Sequence, residues 1–399
     1  MNRPIAWRRL LASAFLWLAF SAAAVAAPRI GVATMQPGEV FFERFGHDAI
    51  VVADPASGRA TSYNFGFFDP SEPDFIGNFA RGRMMYYLVA LPLEEDLQQY
   101  RDAGRGVSIQ WLDLPPAQAQ ALADALAVHA LPENARYRYD YYTSNCATQV
   151  RDALDRAMGG TLKPQLEASA RGLSYRSESV RLASPSPWMW VGFDLGLGPY
   201  ADRELTLWQE SFIPMRLAEN LRSMRNTEGR PLVQTEQLVL PQQLAAEPPA
   251  TPRVLWPWVL AGLALAGLLA WLALRHPRLL GLSALLLWLP CALGGLLLAY
   301  LWGFTEHVAA WGNRNLLLLD PLCLLLWPTA LAWLRGHPLP RGGRWLSAAV
   351  ALLAACAPLL YLLDRHPQAN LPWIALLLPL HLLLAWAVWH HAAPKPKNR

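Results

Sequence analysis

Cysteine is scarce in this chain: four in 399 residues, with Cys146 the only one before residue 291. A disulfide framework is therefore excluded for the whole first part of the molecule. The nine histidines are scattered and form no metal-ligand spacing with cysteine, so no metal or other cofactor is expected. The segment GFDLGLG at 192–198 lacks the GxGxxG spacing of a dinucleotide loop. No internal repeat is present. Charged residues make up 16% of the chain and the net charge is only +4, no signature of nucleic-acid binding. Charge is scarcest after residue 254, which excludes an ordinary soluble protein there.

What fills that region is apolar. Five runs, at 254–274, 279–301, 316–334, 345–363 and 371–390, each have the ~20 residues a helix needs to cross ~30 Å of hydrocarbon. Tryptophans cluster near their ends, Trp256, Trp258, Trp302, Trp345, Trp373 and Trp389 among them, as an interfacial belt requires. The N-terminus carries Arg8 and Arg9, an apolar core at 10–20, and small residues that permit cleavage after Ala26 or Ala27. This reads as a signal peptide over 1–27, the alternative being an uncleaved anchor. If the first span enters from outside, the inside segments carry Arg275, Arg278, Arg335, Arg341, Arg344, Lys395, Lys397 and Arg399. The outside loops carry only Arg314 and Arg365. Much of the positive excess is therefore topological, and it places residues 28–240 outside the cytoplasm, with a cytoplasmic tail over 391–399. A Pro-rich linker, PQQLAAEPPATPR at 241–253, joins the exported domain to the membrane part.

The exported domain has a mixed α+β pattern. DAIVVAD and ATSYNFGFF read as strands about the turn PASGR, and MMYYLVALP and GVSIQWLDL as two more, with a short helix near 93–103 between them. The segment 115–130 reads as a helix opened by prolines. From Cys146, the apolar positions Val150, Ala153, Leu154, Ala157 and Met158 repeat at helical spacing. Asn145 or Ser144 can cap this helix, and Gly159–Gly160 ends it.

Cys146 thus stands at a helix N-terminus in an oxidising compartment, with no cysteine partner in its own domain. A helix N-terminus stabilises a thiolate, so the residue reads either as a nucleophile or as an inert core thiol. A nucleophile needs a base. The exported domain offers His47, after Gly46 at the edge of a strand, and His129, in line with Leu122 and Leu126 as a packing residue would be. His47 is the better base. Asn64 on the next strand can orient it, with Asp69 as another candidate; Asp48 should point to the opposite face.

Histidine on a strand, a polar residue on the next strand, and Asn-Cys opening a later helix: this order resembles the circularly permuted papain-like proteins, such as lecithin–retinol acyltransferase. More closely, FGHDAIVVAD, YNFGFFDPSEPDFIGNFARGRMMYYL, YRYDYYTSNCATQVRDALD and the segments at 190–203 and 211–217 together resemble the periplasmic domain of the Lnb family of lipoprotein N-acyltransferases. TEHVAAWGNRNLLLLDPLCLL at 305–325 is similar to a His-Asn-Leu-Leu-Pro segment after that family's second span. The resemblance implies a permuted papain-like exported domain followed by a five-helix transmembrane bundle in a bacterial inner membrane, the domain lying in the periplasm. It implies a thioester on Cys146, with His47 as base and Asn64 orienting it. Membrane phospholipid would be the acyl donor and the amino terminus of a lipoprotein the acceptor.

Glu306, His307, Asn315 and Asp320 gather polar groups on the same side of the membrane, and can help line the lipid site. Asp320 can instead pair with Arg314 or cap a solvated helix end. Two other classes of function stay open on sequence grounds. A thiol hydrolase, a cell-wall amidase or lipase, would use the same pair and give the acyl group to water. A membrane scaffold or transporter would leave Cys146 and His47 as core residues, although few charges in the spans argues against ion coupling.

Overall fold

The structure is a computed structural model that describes residues 27–392. The expected signal peptide and most of the basic tail lie outside the described residues. The exported part forms strand β1 (Arg29–Met35), β2 (His47–Ala53), β3 (Ala60–Phe67), helix α1 (Phe75–Arg81), β4 (Met85–Pro92), α2 (Leu93–Asp102), β5 (Val107–Leu112), α3 (Pro116–His129) and β6 (Arg136–Arg138). It continues through α4 (Cys146–Ala157), α5 (Leu162–Glu167), α6 (Tyr175–Ala183), α7 (Pro187–Gly196), α8 (Leu207–Glu210), α9 (Pro214–Leu221) and β7 (Val233–Leu240). Seven strands pair antiparallel in the order β6-β4-β3-β2-β1-β5-β7.

Strand β1 is an interior strand, between β2 and β5, and is buried on both faces. Ile30 and Val32 share a core with Ile50, Leu122, Val150 and Leu154, so α3 and α4 cover one face. Ala33 and Met35 share another with Ala49, Val51 and Ile109, against which Leu97 and Tyr100 of α2 pack. Because strand side chains alternate, neighbouring residues His47 and Asp48 of β2 belong to opposite faces. Their partners on β1, Met35 and Thr34, do the same.

The expected helix at 146 forms, and Asn145 rather than Ser144 caps it. The Asn145 side chain accepts from the Thr148 N–H at 2.9 Å, and the Thr148 hydroxyl accepts from the Asn145 N–H at 2.7 Å. This reciprocal pair satisfies two otherwise orphaned donors. Gly159 and Gly160 end the helix in left-handed conformations. Strands β1, β6 and β7, and the helices between 175 and 221, were not anticipated from the sequence.

The membrane part consists of α10 (Trp256–Arg275), α11 (Pro277–Phe304), α12 (Trp327–Arg335), α13 (Arg341–Leu363) and α14 (Leu371–Ala392). Four of these are long and apolar enough to cross a bilayer. The third expected span, 316–334, differs from one continuous helix, and makes a fifth crossing only if the bent segments Val308–Leu317 and Pro321–Arg335 count as one span. It is not one helix but 3-10 turns at 314–317 and 321–326 followed by the short α12, bent by 41°. Pro321 and Pro328 lack the N–H a continuous helix needs, and Asp320 caps a new turn by accepting from the Leu322 N–H at 2.9 Å.

Candidate active site

Cys146 and His47 line the same cavity of about 430 Å3. His47 is the first residue of β2, so groups from the two faces of the sheet can meet around the strand end. Gly46 before it has φ +77°, and a Cβ there would lie 2.7 Å from the Met215 sulfur and 2.9 Å from the Met35 carbonyl oxygen. Only glycine fits the turn that delivers His47. Gly66, φ +104°, sits at an irregularity in β3, and a Cβ there would lie 3.8 Å from the Cys146 Cβ.

His47 Nε2 lies 3.1 Å from Asn64 Oδ1. The Asn64 amide donates to Asp96 Oδ2 and to Ser62 Oγ, both at 3.0 Å. Those two contacts fix which end of the amide is nitrogen, so Oδ1 must accept from the imidazole. His47 is then protonated on Nε2 and keeps its Nδ1 lone pair as the basic site. Asn64 and Asp96 are both buried. Asp96 was missed in the sequence, although its place between Leu93, Leu97 and Tyr100 on a helical stripe marks it as an inward carboxylate. Of the other candidates, Asp69 binds Ser71 on the surface. Asp48 accepts from Thr34 Oγ1 at 2.7 Å on the opposite face. His129 packs edge-on against Phe65.

Burial pushes the Cys146 thiol up to about 12, with the nearby Asp48 carboxyl adding to it; the backbone N–H groups of Asp48, Ala147 and Cys146 pull the other way. Loss of hydration outweighs the helix N-terminus here. Burial, and next the Arg105 guanidinium, hold His47 down at about 4. These shifts favour a neutral thiol and a neutral imidazole lining one cavity, with His47 free to accept a proton at neutral pH. Arg105 itself is 4% exposed. It donates from Nε to the Gln36 carbonyl at 2.9 Å and has no hydrogen-bond partner at Nη2.

Aromatic rings form most of the remaining wall, among them Phe41, Phe68, Phe79, Tyr86, Tyr139 and Phe193. Tyr86 and Tyr139 stack with centroids 4.2 Å apart. Such a wall offers apolar surface and few hydrogen bonds, as suits a hydrocarbon chain better than a peptide or sugar.

Glu306, His307, Asn315 and Asp320 do not line this cavity. Glu306 bridges Arg138 at 2.5 Å and Arg83 at 2.6 Å, and these hold its carboxyl below the usual range. His307 reaches the Phe79 carbonyl through Nε2 at 3.1 Å and stacks on Tyr141, a cavity residue. Asn315 is buried, donating to the Leu195 carbonyl at 3.0 Å and accepting from Asn370 at 3.0 Å. Arg314 pairs with Asp364, not with Asp320. Three of these residues therefore join the exported domain to the membrane part or brace that junction. Asp320 is a turn cap. Among the described residues, no group of three or more His, Cys, Asp or Glu side chains could hold a metal ion.

An α/β domain joined to apolar helices, with Cys146 and His47 lining one cavity and Asn64 bonded to His47, defines a multi-pass membrane protein with a folded domain outside its spans. Comparison with family models makes this specific. Residues 20–182 match the Lnb N-terminal periplasmic domain, and residues 247–357 match the Lnb transmembrane domain. Together these cover more than half of the chain, which belongs to the Lnb family. No curated protein and no solved structure matches it.

Proposed function

We propose that this protein is a membrane-bound cysteine acyltransferase of permuted papain-like architecture, which carries a fatty acyl chain from a glycerophospholipid to an amine. The reading rests on one observation: Cys146 and a base-competent His47 share an aromatic cavity whose walls are fastened to the outer ends of membrane helices. In the first half-reaction, His47 Nδ1 takes the thiol proton as the sulfur attacks the ester carbonyl. The C–O bond breaks, His47 returns the proton to the departing glycerol oxygen, and a thioester remains on Cys146. Backbone N–H groups at the start of α4 stabilise the oxyanion. In the second half, a neutral amine attacks the thioester, His47 takes its proton, and the thiol is restored as the amide forms. The Lnb family membership favours the α-amino group of a lipoprotein N-terminal cysteine as the acceptor. An apolar cavity disfavours water as a competing nucleophile, which supports transfer over hydrolysis.

The test is intact-protein mass spectrometry of the full chain after exposure to phospholipid. The expected result is an acyl adduct on Cys146, removed by hydroxylamine and transferred to an added lipopeptide amine. Steady release of free fatty acid with no gain in the presence of the amine would turn the assignment to a hydrolase. The absence of any adduct together with full activity of Cys146→Ala would end it.

A further inference from the structure

Exposed apolar side chains gather at the cavity and next to it: Phe41, Phe42 and Phe79 line it, Trp188 stacks on Phe41, and Ile76 shares a helix with Phe79. Phe42 is 62% exposed, Trp188 65% and Ile76 81%, with Phe41 and Phe79 also exposed. A water-soluble surface does not carry such a concentration without a partner. Ile76 and Phe79 stand three residues apart on α1, so one side of that short helix is apolar and turned outward. The rings form a continuous arc. Trp188 of α7 stacks on Phe41 with centroids 5.8 Å apart, Phe42 meets Phe68 edge-on at 5.9 Å, and Phe68 stacks on Phe75 of α1 at 5.6 Å.

Both ends of this arc are fixed at the outer ends of membrane helices. At one end, the Arg81 carbonyl accepts from the Glu306 N–H at 2.8 Å, two residues past the end of α11. At the other, Trp190 of α7 lies 6.1 Å from Trp258 and 6.3 Å from Trp373, near the first turns of α10 and α14. Trp188 precedes Trp190 by two residues on the same helix. The arc is thus held at the level where the spans leave the hydrocarbon, and the tryptophans around it are those expected of an interface.

We propose that Phe41, Phe42, Ile76, Phe79 and Trp188 are sunk into the outer leaflet, so that the cavity opens into lipid and not into water. A phospholipid acyl group would then enter sideways, its chain staying in an apolar medium from bilayer to cavity. The seating of the rim follows from geometry alone; the passage of an acyl group rests on the acyltransferase reading.

The experiment places a nitroxide on Ile76→Cys or on Trp188→Cys in the full chain, reconstituted in phosphatidylcholine vesicles. The background is Cys146→Ala with Cys356→Ala, the remaining cysteines, Cys291 and Cys323, being buried. Ser57→Cys, in the exposed turn between β2 and β3, is the aqueous control. Collisions with oxygen should exceed those with a water-soluble nickel chelate several-fold at 76 and 188, with the reverse at 57. A water-like ratio at 76 and 188 overturns the proposal. Either site alone reads the rim, so one variant that misfolds leaves the other decisive. No turnover is needed, so failure here and failure of the acyltransferase reading are separate outcomes.

Discussion

His47 and Asn64 meet at 3.1 Å, and the direction of that hydrogen bond is decided by a third residue, Asp96, on a different element. Without the carboxylate, the Asn64 amide could turn over and offer its NH2 to His47, which would move the imidazole proton to the wrong nitrogen. Asp96 is therefore a positioning residue, acting through Asn64.

Cys146→Ala and His47→Ala should each lower turnover by about 10³-fold or more, because each removes a group that exchanges bonds or protons with the substrate. Cys146→Ser should be nearly as inactive. Asn64→Ala and Asp96→Asn should cost less, on the order of 10–10²-fold, and the double variant no more than the worse single one. Additive losses in that pair would show that Asp96 does not act through Asn64. The measurement is turnover per mole of folded protein in vesicles.

Activity should hold on the acid side further than an ordinary histidine permits. The base must be neutral to accept a proton, and His47 is held at about 4, so the acid limb should fall near pH 4 and not near 6.5. Arg105 is one of the causes. Removing its charge in Arg105→Met should raise the His47 value and move the acid limb to higher pH, with little change at pH 8. A pH profile of the first half-reaction, read as thioester formed per unit time, checks this. An unmoved limb would mean that burial alone depresses the imidazole.

Asp48 predicts a stability effect separate from catalysis. Burial raises its carboxyl from 3.8 to about 7, and its Oδ2 has no hydrogen-bond partner. Between those values the folded chain holds a proton that the unfolded chain releases. The stabilisation is full below about pH 4 and is lost as pH rises through 7, at up to about 1.4 kcal/mol per pH unit. Asp48→Asn cannot ionise and should show a flatter dependence of thermal midpoint on pH between 5 and 8. Parallel curves for the two proteins would place the ionisation elsewhere.

What the sequence disclosed about this site was whatever is local. Gly46-His47 at a strand start, Asn145-Cys146 at a helix start and Asn64 on the adjacent strand are short-range patterns, and the structure puts all three where strand alternation and capping require. The helix N-terminus at Cys146 was visible in the sequence, whereas the burial that pushes its thiol up was not. The cavity itself was illegible, since its rings come from segments as far apart as Phe41 and Phe212. The break in the third span left a signal in Asp320-Pro321 and Pro328, but composition alone reads a Leu-rich run as one helix. Glu306, His307 and Asn315 were expected on the same side as Cys146, and all three contact the domain that carries it. Their partners on Arg83, Phe79 and Leu195 could be found only from the fold.

The junction at α7 gives the last prediction. Three carbonyls at the end of that helix, from Leu195, Gly196 and Leu197, accept from the single Asn313 side-chain nitrogen at 2.7, 3.0 and 3.1 Å. A helix C-terminus leaves such carbonyls unpaired, and here a membrane loop caps it in place of the helix's own sequence. Gln368 adds a contact to Leu197 at 3.3 Å, and the Asn313 carbonyl oxygen of the side chain accepts from the same Gln368 at 3.0 Å. Asn313→Ala should leave the Gly196 carbonyl without its side-chain donor, because Leu195 also accepts from Asn315 at 3.0 Å and Leu197 from Arg176 at 2.7 Å, at a cost of about 1 kcal/mol. The loss should be confined to the junction, because the hydrogen bonds of the Asn313 side chain run to the end of α7, Asn315 and Gln368. Amide exchange should accelerate at 196–198 and at 308–315 while β1 and β2 keep their protection. Transfer from vesicle phospholipid should fall, because α7 carries Phe193 in the cavity wall. Unchanged exchange at Gly198, whose N–H donates to the Ala309 carbonyl at 2.7 Å, would show that the two parts are held together by apolar packing alone.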